Sequence, residues 1–317
     1  MFQRFRQRRT DRETRLRYQE TFLARGDFIL PLFIAEGTGV NRPIPSMKDI
    51  SRFSADNAIP YLRPLVAGGL RSVILFGIPD AKGLEQAYSD NGVVQQAIPR
   101  LKDAFPALEV IADVCICSYS ADGQCYTGDN DRTCELLAKI AGSYARAGAD
   151  MVAPSDMMDG RVSYIASELK RIGLSGVPIV SYAAKYASNF YGPFRDAADS
   201  APKHSDRKGY QMNPANSAEA LDEIRADIGE GASQIIIKPA LPYLDILCRA
   251  RSEFDVPLIG YNVSGEYAMV HALIEKGLAS EDIIYETLVS IKRAGASRII
   301  SYHTPWALEK IDAYQSL

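Results

Sequence analysis

No apolar run in the chain approaches the ~18 residues of a membrane-spanning helix, so no membrane partner is expected. Cysteine is scarce: five in 317 residues. Five in a chain this long do not read as a disulfide framework, and a reducing, cytoplasmic setting is the expectation. Excess positive charge is missing too. The 36 Lys and Arg face 39 Asp and Glu, for a net charge of -3, which removes the basic footprint of a nucleic-acid partner. Low-complexity linkers and an obvious domain break are absent. The opening stretch, MFQRFRQRRTDRETRLRYQE, is basic but lacks the apolar centre of a secretion signal. A transit peptide stays open, with Asp11, Glu13 and Glu20 against it.

The composition that remains is 47% hydrophobic and 24% charged, ordinary for a globular protein. There is room for one large α/β domain or two ordinary ones. Short apolar, β-branched runs recur at 28–33, 72–77, 108–113, 150–154, 178–182, 234–239, 257–261 and 298–302. Each is short enough for a strand and continuous enough to be buried on both faces. Helix-like stretches separate them, among them DRTCELLAKIAGSYARAGAD and SAEALDEIRADIGEGAS. Several end in Gly-Ala just before the next strand, which suits a helix C-cap. Eight strands alternating with helices predict an α/β (β/α)8 TIM barrel. A doubly wound open sheet is the rival, but no G-x-G-x-x-G follows any of the strands. Residues 1–25 precede the barrel as an extended or helical oligomerisation arm, expected to pack on a neighbouring subunit. The barrel domain covers 26–317, and its long excursion, 186–213, reads as a lid.

Reactive groups in such a barrel sit at the C-terminal strand ends. Asp113 ends the third strand, Ser155, Asp156 and Asp159 follow the fourth and Lys185 follows the fifth, while Lys238, Tyr261 and Tyr302 end the sixth, seventh and eighth, with Ser264 beyond the seventh. Two lysines on adjacent strands thus point to one pocket. Burial and a like-charged neighbour both lower an ammonium's pKa, leaving a neutral amine able to form a Schiff base with a ketone. The alternative is a lysine that snorkels to the rim beside a carboxylate. Cys115, Cys117 and Cys125, spaced C-x-C-x7-C, read either as three thiolate ligands of Zn²⁺ with one open position or as space-filling side chains. The first two are expected to alternate on an extended segment. Cys134 and Cys248 read as packing residues. Arg195 and Arg207 on the lid suit a carboxylate, or are solvated loop charges. His204, His271 and His303 show no ligand spacing and are expected at the surface or rim.

Longer motifs go further. VAPSDMMDGRV, SYAAKYASNFYGPFRDA, DRKGYQMNP, IIIKPALPYLDI and VSGEYAM resemble the porphobilinogen synthase (5-aminolevulinate dehydratase) family along nearly the whole chain. That resemblance implies a lyase of tetrapyrrole (haem) biosynthesis that joins two 5-aminolevulinate molecules with loss of two waters. It implies that Lys238 and Lys185 bind the P-side and A-side substrates as Schiff bases. By the same resemblance Arg195, Arg207 and Gln211 grip the A-side carboxylate, while Ser264 and Tyr302 hold the P-side one. Tyr191, Phe194 and Tyr261 match pocket-wall positions, and Asp113 and Ser155 match polar groups near the reacting centre. Cys115, Cys117 and Cys125 match the catalytic zinc triad, Glu223 matches an allosteric Mg²⁺ position, and the arm fits a homo-octamer. The chain departs from the familiar pattern at Asp122, Gln124, Ser205 and Asn213. A sister enzyme on a related amino-ketone and a non-catalytic zinc-binding relative are the alternatives. A class I aldolase-like barrel with one Schiff-base lysine is a further rival.

Overall fold

The computed structural model describes residues 2–201 and 206–316; His204 and Ser205 lie outside the described residues. Among the described residues ten strands are formed: β1 Phe28–Ala35, β2 Asn41–Pro43, β3 Ser51–Phe53, β4 Ser72–Ile78, β5 Glu109–Val114, β6 Met151–Pro154, β7 Val180–Lys185, β8 Gln234–Lys238, β9 Leu258–Asn262 and β10 Arg298–Ser301. The main helices are α1 Arg12–Arg17, α2 Ala55–Ala67, α3 Val93–Ala104, α4 Asn130–Arg146, α5 Arg161–Arg171 and α6 Gly192–Ala197. They continue as α7 Ala218–Glu230, α8 Leu244–Glu253, α9 Ser264–Glu275, α10 Asp282–Arg293 and α11 Thr304–Gln315.

Eight strands run parallel in the order β6-β5-β4-β1-β10-β9-β8-β7. A parallel bridge between Val152 and Ile179 joins the two ends, with the Val152 N–H donating to the Pro178 carbonyl at 3.1 Å. The result is a nearly closed barrel and not an open doubly wound sheet. The short antiparallel pair β2–β3 is an addition that its polar sequence, NRP and SRF, did not announce. Gly148, Gly231 and Gly295 all adopt positive φ just before a strand, as the Gly-Ala endings suggest.

Two layers of core follow from alternation along the strands. Ile29, Ile74, Ile111, Ile236, Ile259 and Ile300 meet inside the barrel. Leu30, Val73, Val110, Ile235, Leu258 and Ile299 face the helices. Asp113, Lys238, Tyr261 and Tyr302 stand two residues after an inner isoleucine, so the strand period aims them inward at the mouth.

Lys185 breaks that parity. Val180 and Tyr182 face inward on β7, which would turn residue 185 outward. The register shifts between Ser181 and Ala184, where β7 carries one residue more than β8, and then pairs Lys185 with Lys238. One extra residue flips the following side chain to the other face. Lys185 is therefore the last residue of its strand, not a residue beyond it. The apolar run that marked this strand stopped at Tyr182, whereas backbone pairing carries on through two small alanines.

A buried ion-pair network supports the same strand. Arg161 is 1% exposed. It donates to Asp227 at 2.8 Å, Ser181 Oγ at 3.1 Å and the Tyr182 carbonyl at 3.3 Å. Removing one partner from such a network costs about 3–5 kcal/mol, because a buried charge is left uncompensated. The N-terminal arm docks on its own barrel through Arg12, which donates to the Ala313 and Ser316 carbonyls at 2.7 Å. Phe2, Phe5, Tyr18 and Phe22 stay exposed.

Candidate active site

Lys238 and Lys185 are each only 4% exposed. The Lys238 Nζ lies 4.4 Å from the Tyr261 ring centre, 4.9 Å from Phe194 and 5.2 Å from both Tyr182 and Tyr191. Burial first, then the Lys185 charge, lowers its pKa from 10.5 to about 7, against the opposing pull of Asp113. An amine in that state is half neutral near pH 7. Lys185 donates to the Ser155 carbonyl.

Asp113 sits between the two amines in electrostatic terms. Burial raises its pKa to about 6, and Lys238 and Lys185 hold it from rising further. Ser155 Oγ donates to it at 3.1 Å, and the Tyr182 hydroxyl also helps hold its carboxyl down. A carboxyl poised there can hold or release a proton near neutrality.

The excursion after β7 begins and ends on the strands. Ala187 N–H donates to the Met212 carbonyl at 2.9 Å, and Met212 N–H to the Lys185 carbonyl at 3.1 Å. Between those points the chain forms α6 and folds over the mouth. Tyr191 donates to the Tyr186 carbonyl at 2.7 Å and to the Lys238 carbonyl at 3.1 Å. The Phe194 ring packs on Phe33 and Phe76 at 5.6 and 5.1 Å. The Phe194 N–H donates to Ser264 Oγ at 2.9 Å, so Ser264, the first residue of α9, fastens the lid. Tyr302 lies alongside, its hydroxyl 3.3 Å from that of Tyr261.

Arg195, Arg207 and Gln211 all belong to the lid, where the Gln211 N–H donates to the Arg207 carbonyl at 2.9 Å. Burial first, then the Arg207 charge, lowers the Arg195 pKa. Among the described residues, the Arg195 Nε, the Arg207 Nε and both amide atoms of Gln211 are buried with no partner. Buried polar atoms of this kind are costly to leave unpaired, and two guanidiniums beside an amide suit a carboxylate.

Cys115, Cys117 and Cys125 bring their sulfur atoms within 4.8 Å of one another. Cys115 follows directly on β5 and Cys117 stands in the turn after it, so the two do not alternate on an extended segment. The strand stops at Val114, and the turn is what folds both thiols toward Cys125. Hydrogen bonding from Cys115, then Cys117, holds Cys125 well below the usual thiol range, with Arg207 adding to the effect. Three soft donors, one already favoured as thiolate, fit a thiophilic ion such as Zn²⁺ with one position left for another ligand. Burial works against the Arg207 charge, but Cys125 and Cys117 outweigh it and raise its pKa.

Other expectations fall elsewhere. Glu223 lies apart from the lysines, in a groove of about 1330 Å³ lined also by Asp159, Glu219, Gln124 and Tyr210. Burial raises its pKa to about 7, opposed by Arg161. Among the described residues no group of three ligand side chains forms around it. Cys134 is buried in α4 and Cys248 exposed. His303 is not a rim residue: it is 2% exposed and its ring lies 4.5 Å from Tyr267 and 5.3 Å from His271.

Tyr182, Tyr210 and Lys82 were missed. Tyr182 ends the run PIVSY and shares the inward parity of Val180, which could have flagged it. Tyr210 stands inside DRKGYQ, but nothing local says what it reaches. Lys82 follows β4, the second barrel strand, with no motif around it; it donates to the Ser118 and Asp199 carbonyls at 2.7 Å.

Comparison with known proteins matches this geometry. The family model described as Delta-aminolevulinic acid dehydratase matches residues 2–310. A protein of that name from Bacillus subtilis is 48% identical over 310 residues, covering 95% of this chain and 96% of the relative. One from Archaeoglobus fulgidus is 48% identical over 301 residues, covering 93% and 94%. A Toxoplasma gondii crystal structure of the same named enzyme, holding its product porphobilinogen, superposes with a TM-score of 0.94. It is 42% identical and covers 98% of this chain and 91% of its own.

Proposed function

The chain belongs to the delta-aminolevulinic acid dehydratase family, and from that premise we propose that its barrel mouth joins two molecules of 5-aminolevulinate into porphobilinogen. The observation that carries the reading is the register pair Lys185–Lys238, two buried amines on neighbouring strands.

The neutral fraction of Lys238 attacks the ketone of the first substrate, and Lys185 that of the second. Each ketone oxygen leaves as water when its imine forms. Both amines are released as the carbon–carbon and carbon–nitrogen bonds of the ring close. Two waters therefore depart for each pyrrole. Asp113, with a pKa of about 6, takes and returns protons between the two amines. Ser155 orients Asp113 through its hydroxyl. Arg195, Arg207 and Gln211 hold the carboxylate of the second substrate. Ser264 and Tyr302 hold that of the first, with the N-terminal end of α9 favouring the negative charge. Tyr191, Phe194 and Tyr261 form the walls. The lid, 186–213, excludes water and fixes the reacting groups in range of each other.

Cys115, Cys117 and Cys125 would hold Zn²⁺. When bound it supplies a Lewis acid with an open position, able to keep an amine unprotonated beside the second substrate. A reducing, cytoplasmic compartment belongs to the same reading, since only reduced thiols serve as ligands. Glu223 is the proposed Mg²⁺ contact, suited to an ion that keeps most of its waters. The arm, 1–25, with its exposed aromatic residues, is read as the contact that builds a homo-octamer.

The test is direct. Purified protein is given 5-aminolevulinate, with and without a chelator, and pyrrole is read by colour. Colour lost with chelator and restored by zinc is expected. No colour under any metal condition would sink the proposal, as would full turnover in Lys238→Met.

A further inference from the structure

We propose that lid closure and metal retention are one coupled event, and that the Tyr210 hydroxyl is the group in this chain that couples them. The inference rests on the reading above that the cysteines hold a metal.

Tyr210 belongs to the lid, three residues before its end. Its hydroxyl accepts the Cys125 backbone N–H at 3.1 Å and donates to Gln124 Oε1 at 2.7 Å. The Gln124 amide nitrogen in turn donates to the Asp206 carbonyl of the lid at 3.4 Å. The Tyr210 ring packs on the three cysteines and lies 6.1 Å from the ring of Tyr126. One lid side chain thus satisfies the main chain of a ligand residue and walls the sulfur cluster. The departures at Asp122 and Gln124 gain a role here. Asp122 accepts Ser120 Oγ at 2.8 Å and the Gln124 N–H at 3.0 Å. That turn presents Gln124 to the lid.

Other contacts join the lid to the same loop but stop short of a ligand. Arg207 donates to the Gly123 and Ser200 carbonyls at 2.7 Å. Gly123 lies so close that a Cβ there would sit 2.6 Å from the Ala201 carbonyl oxygen. Ser118 Oγ donates to the Ala198 carbonyl at 3.2 Å. These contacts set how the lid seats. Tyr210 alone among them reaches the backbone of a cysteine ligand.

Lifting the lid withdraws Tyr210. The Cys125 amide then loses its partner, and the sulfur atoms lose an apolar wall. Metal affinity must differ between closed and open lid. By reciprocity, a ligand that favours closure tightens the metal by the same factor by which the metal tightens that ligand. Tyr210 is in this sense a positioning residue.

The probe for closure is 4-oxopentanoate, a keto acid with the ketone and carboxylate but no amine. Zinc affinity of the full chain is measured by competition with a chromophoric chelator, with and without the keto acid. A tightening of roughly tenfold is expected for the wild type, inside the usual range of coupling between sites. Tyr210→Phe keeps the ring and removes both hydrogen bonds, and its tightening should fall to near one. The thiolate-to-cobalt absorption of the Co²⁺ form should respond to the keto acid in the wild type and not in the variant. Should Tyr210→Phe fail to fold, Tyr210→Met, which also keeps apolar bulk and removes both hydrogen bonds, takes its place in the same titration. A variant that keeps the wild-type ratio overturns the inference, and so does a wild type that binds zinc with no response to the keto acid. A wild type that binds no zinc through its cysteines removes the metal reading itself and this inference with it.

Discussion

Replacing Lys185 with methionine should change the acidity of Lys238. The wild-type Lys238 is brought from 10.5 to about 7, by burial first and by Lys185 second. At 1.36 kcal/mol per unit that is roughly 5 kcal/mol of bias toward the neutral amine. At pH 7 an amine with an ordinary pKa is neutral in only about 3 molecules per 10,000, whereas Lys238 is neutral in about half. Methionine matches lysine in length and carries no charge, so it removes the repulsion and keeps the burial. The pKa of Lys238 should therefore rise above 7 and stay below 10.5. The assay is imine trapping with 4-oxopentanoate and cyanoborohydride across a pH series, with the Lys238 adduct counted by mass spectrometry. The wild type should reach half of its maximal rate near pH 7, and Lys185→Met at higher pH. Asp113→Asn supplies the opposite sign. The Asp113 charge raises the Lys238 pKa, so its loss should move the half-point below 7. An unchanged or lowered half-point in Lys185→Met would refute the account of paired amines.

Two further outcomes follow from the same structure. His303 is driven by burial, then by His271, from 6.5 to about 3. Its folded pKa lies below the unfolded one, so its stability contribution is full above pH 6.5 and lost as pH falls toward 3. Chemical denaturation should show a slope of up to about 1.4 kcal/mol per pH unit from this group, absent in His303→Gln; equal slopes in the two proteins would contradict it. At Gly265 a Cβ would lie 2.5 Å from the Phe190 carbonyl oxygen and 2.6 Å from its Cα. Backbone cannot swing aside, so Gly265→Ala must shift the start of the lid. Steady-state kinetics should show roughly a ten- to hundredfold loss in kcat/KM, and wild-type values would mean the lid start is not held this tightly.

Much of the fold was legible because its signals are local. Continuous apolar runs marked strands buried on both faces, and Gly-Ala endings marked where helices turn back. Parity along a strand was enough to aim Asp113, Lys238, Tyr261 and Tyr302 into the barrel. The pair β2–β3 left no such mark, because two three-residue strands whose one buried apolar side chain is Phe53 are too short to show a pattern. His303 read as a rim residue because nothing in SYHTP says that Tyr267 and His271, on another helix, would cover it.

The residue order by itself determined the barrel, the strand-end lysines, the three thiols and the family to which the chain belongs. Periodicity and motif are properties of neighbours along the chain. Tertiary structure alone decided that Lys185 turns inward, since one extra residue on β7 reverses its face and only pairing with β8 reveals it. It alone decided that Cys115 and Cys117 fold back on Cys125, and that Tyr210 and Gln124 tie the lid to that cluster. Register and contact between distant segments depend on how much surface each arrangement buries and which polar groups it satisfies, and those sums exist only once the chain has closed on itself.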